Sequence, residues 1–187
     1  MKKVLGILAL IAIIATMAVP QAQAKKKKRD LKKEAIEDLI RDGVTNYEAG
    51  NYDEAFPLFE AAHNKGNIRA THNLAICYSE GHGVAQDYAK ALKLYEKAAK
   101  KGYADSQMAL GQLYMGGLGV KKDYKKAIKW FEKAAKQGDS DAMYEIGRCY
   151  YYGGNGIKKD IKKAKEWVAK SAALGNETAI DNLPKLK

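Results

Sequence analysis

Two cysteines, three histidines and four serines are the side chains of this chain best suited to nucleophilic or metal chemistry, and their spacing decides what they can do. A zinc site draws on clustered Cys and His ligands, commonly C-x-x-C or H-E-x-x-H. His63, His72 and His82 and the cysteines at 77 and 149 form neither pattern, and His72 and Cys77, five residues apart, do not share a helix face. Nothing here points to a metal or a cofactor. Serine acylation of the S-x-x-K type needs a lysine three residues after the nucleophile to help activate it. None of Ser79, Ser106, Ser140 and Ser171 has one. Catalysis therefore has no supporting constellation, and the side chains left to work with are lysines and aromatics.

The elements that carry these residues are repeats. GVAQDYAKALKLYEKAAKKG (83–102), GVKKDYKKAIKWFEKAAKQG (119–138) and GIKKDIKKAKEWVAKSAALG (156–175) are near-copies. Gly66, Gly102 and Gly138 are 36 residues apart and Gly175 follows after 37. Ala55, Ala91, Ala127 and Ala164 keep the same spacing, as do Asn51, Asp87, Asp123 and Asp160. The extra residue falls in the Tyr150–Gly156 loop. Periods of this length mark stacked supersecondary units. Asp87, Asp123 and Asp160 stand where a side chain accepts from the first free N–H groups of a helix. Asn51 takes that place in the first unit, with Glu54 three residues on as a capping-box partner. The glycines at 66, 102, 138 and 175 end each helix with positive φ. Between cap and stop, Tyr88, Ala91, Leu92, Tyr95 and Ala98 recur at helical spacing.

A second helix precedes each of these, in ATHNLAICY (70–78), SQMALGQLY (106–114) and AMYEIGRCY (142–150). Leu74, Leu110 and Ile146 share one register, and Tyr78, Tyr114 and Tyr150 another. Gly111 and Gly147 sit mid-helix with Ala75 as their counterpart. A mid-helix Gly costs about 1 kcal/mol against Ala, so close helix–helix approach is expected in return. Glycine-rich turns (EGHGV, GGLGV, GGNGI) link the two helices. Each unit is helix, turn, helix, and no strand is predicted. Pro57 falls early in the second helix of the first unit, where it removes one backbone bond.

LAICYSEGHGVAQDYAKALKLYEKAAKKG and LGQLYMGGLGVKKDYKKAIKWFEKAAKQG resemble Sel1-like repeats, a subclass of the tetratricopeptide type. The first unit, GVTNYEAGNYDEAFPLFEAA (43–62), is closer to an ordinary tetratricopeptide repeat through Gly43, Gly50, Tyr52, Ala55, Phe59 and Ala62. The resemblance implies an all-α, right-handed α/α solenoid of stacked helix-turn-helix repeats. The expected divisions are a signal peptide over 1–24, a basic linker over 25–30 and a solenoid over 31–187. Within the last, 31–66 is the tetratricopeptide-like unit, 67–103, 104–139 and 140–175 are Sel1-like repeats, and 176–187 is a closing helix. Leu31, Ala35, Leu39 and Ile40 predict that the first helix starts early and covers the N-terminal edge.

Stacking fixes the meaning of the cysteines. They occupy one register two repeats apart, beyond the roughly 7 Å reach of a disulfide, with Leu113 between them; both are expected to be buried apolar fillers. Some exported proteins of this type pair cysteines within each repeat and are described as penicillin-binding or β-lactamase-like. This chain lacks those pairs, so a β-lactamase-like or cell-wall hydrolase is the remote alternative.

Lys2 and Lys3, an apolar run from Val4 to Val19, Pro20 and the A-x-A pattern Ala22–Ala24 predict a secretory signal peptide cut after Ala24. The expected location is periplasmic or secreted. The alternative is an uncleaved N-terminal anchor, because Lys25–Arg29 form a cationic cluster that resists translocation. The whole chain has net charge +11, and loss of the leader with its two lysines leaves +9.

Tetratricopeptide-type solenoids bind proteins or peptides on the concave face lined by the first helix of each unit. The resemblance therefore implies a non-enzymatic scaffold or adaptor of the cell envelope. The candidate contact residues are Asn73, Ile76, Ala109, Gln112, Glu145 and Arg148, which change from unit to unit. Tyr151 and Tyr152, at the inserted turn, join them as exposed aromatics that can anchor a partner. His82 is expected to be an exposed turn residue. A second possibility uses the lysines from Lys121 to Lys133 and from Lys158 to Lys170 as a surface for polyanions or membranes. With four arginines in all, nucleic acid is disfavoured, since bidentate phosphate and base contacts draw on Arg.

Overall fold

The computed structural model describes the backbone of residues 2–186 and the side chains of residues 21 and 23–186. Among the described residues nine helices follow one another: α1 (Lys2–Glu48), α2 (Tyr52–Asn64), α3 (Ile68–Glu80), α4 (Tyr88–Ala99), α5 (Ala104–Gly116), α6 (Tyr124–Ala135), α7 (Ser140–Tyr152), α8 (Ile161–Ala173) and α9 (Glu177–Asn182). A 3-10 turn, Leu183–Lys185, follows α9. Each helix packs on its sequence neighbours from α1 through α9. That is the nearest-neighbour contact pattern of an all-α solenoid.

Local chemistry sets the helix ends. Asp87, Asp123 and Asp160 each accept, through the side chain, the backbone N–H three residues on, at 2.9 Å. Gly66, Gly102, Gly138 and Gly175 all have φ between 85° and 92°. Asn51 is different. Its side chain makes no cap bond, so the capping box expected with Glu54 does not form. The link from α1 to α2 is a tight turn in which Asn51 N–H donates to the Asn46 carbonyl at 2.8 Å, and it leaves Asn51 off the extended geometry of the aspartate caps. Pro57 lies on the exposed side of α2, and the helix runs through it.

The mid-helix glycines serve close packing. A Cβ on Gly111 would overlap the Phe131 ring, and one on Gly147 would lie 2.6 Å from Val168 Cγ2. Gly43 does the same in the first unit, at 2.7 Å from Phe59 Cε1. Phe59 and Phe131 are the largest fully buried side chains. The small residue on one helix admits the large one on the next, so the two letters belong together.

The inserted residue has a defined place. Gly154 and Ile157 exchange backbone hydrogen bonds around Asn155 and Gly156, whose φ values are 49° and 98°. An Asn-Gly pair with both φ positive is the favoured two-residue tight turn. Its Asn155 carbonyl accepts from Tyr124 N–H at 2.8 Å, tying the third loop to the start of α6. This isolated bridge is the one piece of β-pairing among the described residues.

Three further expectations are corrected. Residues 25–30 are not a linker but part of α1. Leu31 is 56% exposed and Ala35 is also exposed, so the edge is covered from Ile36 onward, with Ile40 buried. Tyr151 and Tyr152 form the last turn of α7, ahead of the loop. The apolar run of the expected leader lies outside the residues whose side chains are described.

Candidate functional site

The first helices α1, α3 and α5 leave a hollow of about 260 Å³ between them. Val44 and Phe59 give it an apolar floor, while Tyr47, Tyr103, Asn73 and Ile76 stand at its walls. Asn73 and Ile76, expected from the sequence to face a partner, are half-buried there. Glu48, Arg69 and Asp105 bring charge to the same opening.

The hollow is braced by contacts that the repeat pattern does not mark. His72 Nδ1 and Ser106 Oγ are hydrogen-bonded at 2.9 Å, linking α3 to α5 inside the protein. Burial lowers the His72 pKa to about 4, although Asp105 works against the shift, so the imidazole is neutral at pH 7. Burial also raises Tyr47 to about 12 and holds Tyr103 above its usual value. His82 is not an exposed turn residue. It is half-buried, stacked on Tyr52 with ring centres 3.8 Å apart and planes 4° apart, and bonded through Nδ1 to the Tyr47 hydroxyl at 2.8 Å. The loop after α3 is thereby pinned to the first unit.

A second hollow, of about 170 Å³, lies between α7, α8 and the C-terminal turn. Arg148, Tyr151 and Tyr152 line it, with Tyr144, Asn182 and Lys185. Tyr152 is 62% exposed and packs edge-on against Tyr151. Glu145 stands one turn away and takes both of its contacts from Arg148 Nη1, at 2.9 and 3.1 Å. Burial pushes the Glu145 carboxyl pKa upward and Arg148 opposes it. Asn182 Nδ2 donates to the Tyr144 hydroxyl at 3.0 Å, anchoring the closing helix at the rim.

The predicted residues thus fall into two groups, Asn73 with Ile76 and Glu145 with Arg148, Tyr151 and Tyr152. Between them lie Ala109, packed against the α4–α5 core, and exposed Gln112, neither of which lines either hollow. Cys77 and Cys149 are fully buried and free. Among the described residues no cluster of three or more His, Cys, Asp or Glu could hold a metal ion.

Known proteins place this architecture. The Sel1 repeat matches residues 68–103, 104–139 and 140–176. No curated protein matches the chain. A Sel1 repeat protein from Oxalobacter formigenes is similar in structure, with 36% identity and a TM-score of 0.72 over 79% of this chain and 61% of that one. A protective antigen of uropathogenic Escherichia coli with an SLR fold shows 31% identity and a TM-score of 0.73, over 79% of this chain and 32% of its own. Cysteine-rich protein B of Helicobacter pylori shows 25% identity and a TM-score of 0.50, over 75% and 93%. The chain spans less than two thirds of the first two relatives. With three matched repeats over more than half its length, the chain belongs to the Sel1 repeat family.

Proposed function

We infer that the chain is a non-enzymatic scaffold of the cell envelope that holds a protein or peptide on the face formed by α1, α3, α5 and α7. Sel1 repeats generally mediate protein–protein interaction, which supplies the class. The observation that carries the location is the hollow over Phe59 and Val44, where apolar floor, aromatic walls and a few polar groups converge. That mixture is what recognition sites use to gain affinity and orientation together. The repeat pattern fits as well, since packing positions are fixed while Asn73, Ala109 and Glu145 differ at one register. Export to the periplasm or beyond rests on the basic start, apolar run and A-x-A pattern before Lys25.

The experiment is affinity capture from detergent-solubilised envelope with the full chain as bait, washed at low and then high salt. A stoichiometric protein that survives high salt supports a shaped site of this kind. Complete loss in salt would show that charge alone holds whatever binds.

A further inference from the structure

Charge in this solenoid is sorted by helix. Helices α4, α6 and α8 together carry eleven lysines against three glutamates. Helices α3, α5 and α7 carry no lysine; their cations are Arg69 and Arg148, against Glu80, Asp105, Asp141 and Glu145. The proposed protein-binding face and the lysine face are therefore different surfaces, and the second has no part in the function inferred above.

The lysine face has relief. A depression of about 360 Å³ is lined by Lys126, Lys129, Trp130, Glu132, Lys133 and Lys136. A second, of about 260 Å³, runs from Glu132 and Lys136 to Ala135 and Trp167. The two share Glu132 and Lys136, so one shallow groove crosses from α6 toward α8. Two lysines, one lining the groove and one beside it, rest over its tryptophans. Lys133 Nζ sits 3.8 Å from the Trp130 ring centre, and Lys170 Nζ 4.3 Å from that of Trp167. Long lysines ordinarily lose rotamer freedom when they bind. Here ring contacts have already restricted two of them, which lowers the cost of capturing a ligand.

We propose that this groove binds a linear anionic polysaccharide. Lysine ammonium groups pair as point charges with carboxylate or sulfate at any orientation, and the groove has no Arg for bidentate phosphate or base contacts. Single-stranded nucleic acid needs free aromatic faces for its bases to stack on. Trp130 is half-buried against the core, with Lys133 over its ring. A flexible chain can follow the groove from α6 toward α8 and meet its exposed lysines in turn.

The test uses the full chain in neutral detergent and a fluorescent heparin dodecasaccharide as the probe. Lys129, Lys133, Lys136 and Lys170, each changed to Gln, form the groove set; Lys25, Lys26, Lys27 and Lys28, each changed to Gln, remove the same charge elsewhere. The expected result is a loss of about tenfold or more in affinity and a shallower salt dependence for the groove set, with the Lys25–Lys28 set staying within about twofold. Matched unfolding curves show that both sets fold. Equal losses in the two sets, or loss confined to Lys25–Lys28, overturn the proposal. So does tighter binding to length-matched single-stranded DNA, or to phosphatidylglycerol vesicles in a manner that depends on the groove lysines.

Discussion

Lys126 holds its ammonium 5.2 Å from the centre of the Tyr114 ring, across the turn that joins α5 to α6. The same residue gives its backbone N–H to Asp123 Oδ1 at 2.9 Å, and its Nζ lies 4.0 Å from Asp123 Oδ2. Lys90 with Tyr78 and Asp87, and Lys163 with Tyr150 and Asp160, repeat the arrangement in the neighbouring units. Each aspartate N–H also donates to the carbonyl of that tyrosine, at 2.7 to 2.9 Å. The glycine-rich turn can vary because this Asp–Lys–Tyr clasp closes it.

Asp123→Ala removes the cap and should cost about 1 kcal/mol of unfolding free energy, while Asp123→Asn keeps most of it because the amide oxygen still accepts. Lys126→Met should cost less than the alanine change, since an exposed cation–π contact contributes about 0.5–1 kcal/mol. Urea denaturation of the three variants gives the order. Equal losses for alanine and asparagine would remove the cap from the account.

Gly111→Ala should destabilise the chain even though alanine is the better helix former. The propensity gain is about 1 kcal/mol, whereas a methyl group overlapping the Phe131 ring forces displacement, and overpacking costs about 1–3 kcal/mol. Pairing the change with Phe131→Leu should recover part of the loss. A stabilised single variant would mean that α5 and α6 separate at no cost.

Stability should fall as pH drops from about 6.5 toward 4 as His72 titrates in the unfolded chain. His72 has a folded pKa of about 4, below the unfolded value near 6.5, so in this window the unfolded chain binds the extra proton. Its contribution is full above the unfolded pKa and is lost as pH falls through the window, up to about 3 kcal/mol by linkage. His63, also lowered by burial, adds in the same direction. Thermal unfolding across pH 4–7 for wild type and His72→Gln checks this; an unchanged slope in the variant assigns the effect elsewhere.

Both thiols should resist alkylation in the native chain and react fully in denaturant. Cys77 and Cys149 are fully buried, and burial raises their thiol pKa values to about 11 and about 12. Thiolate is the reactive form, so its population at pH 8 is small as well as inaccessible. Mass spectrometry after iodoacetamide treatment reads the result, and native labelling of either cysteine would contradict the packing.

The periodic parts of this fold were legible because the same physical need recurs. Asp87, Asp123 and Asp160 cap their helices, and Gly111 and Gly147 admit their neighbours. What was not legible depends on single tertiary contacts. No period marks that His82 stacks on Tyr52, or that His72 meets Ser106 34 residues away. Lys25–Arg29 read as part of a linker from charge alone. Yet the flanking Gln, Ala, Lys and Leu are good helix formers, and no Gly or Pro between Gln21 and Ile40 stops α1. At the candidate site the varying register pointed to Asn73 and Ile76. The hollow beside them also depends on Tyr47 and Tyr103, which belong to other units.

The proposed function stands on the docking of a partner protein on the inner face, whose helices α3, α5 and α7 carry no lysine. Its most direct test is capture from solubilised envelope, at high salt, by three full chains side by side. These are the wild type, an inner-face variant with Asn73→Lys and Gln112→Lys, and the groove set with its four lysines changed to Gln. The expected result is one stoichiometric protein with the wild type and the groove set, and its loss with the inner-face variant at unchanged thermal stability. Retention by the inner-face variant, together with loss from the groove set, would contradict it.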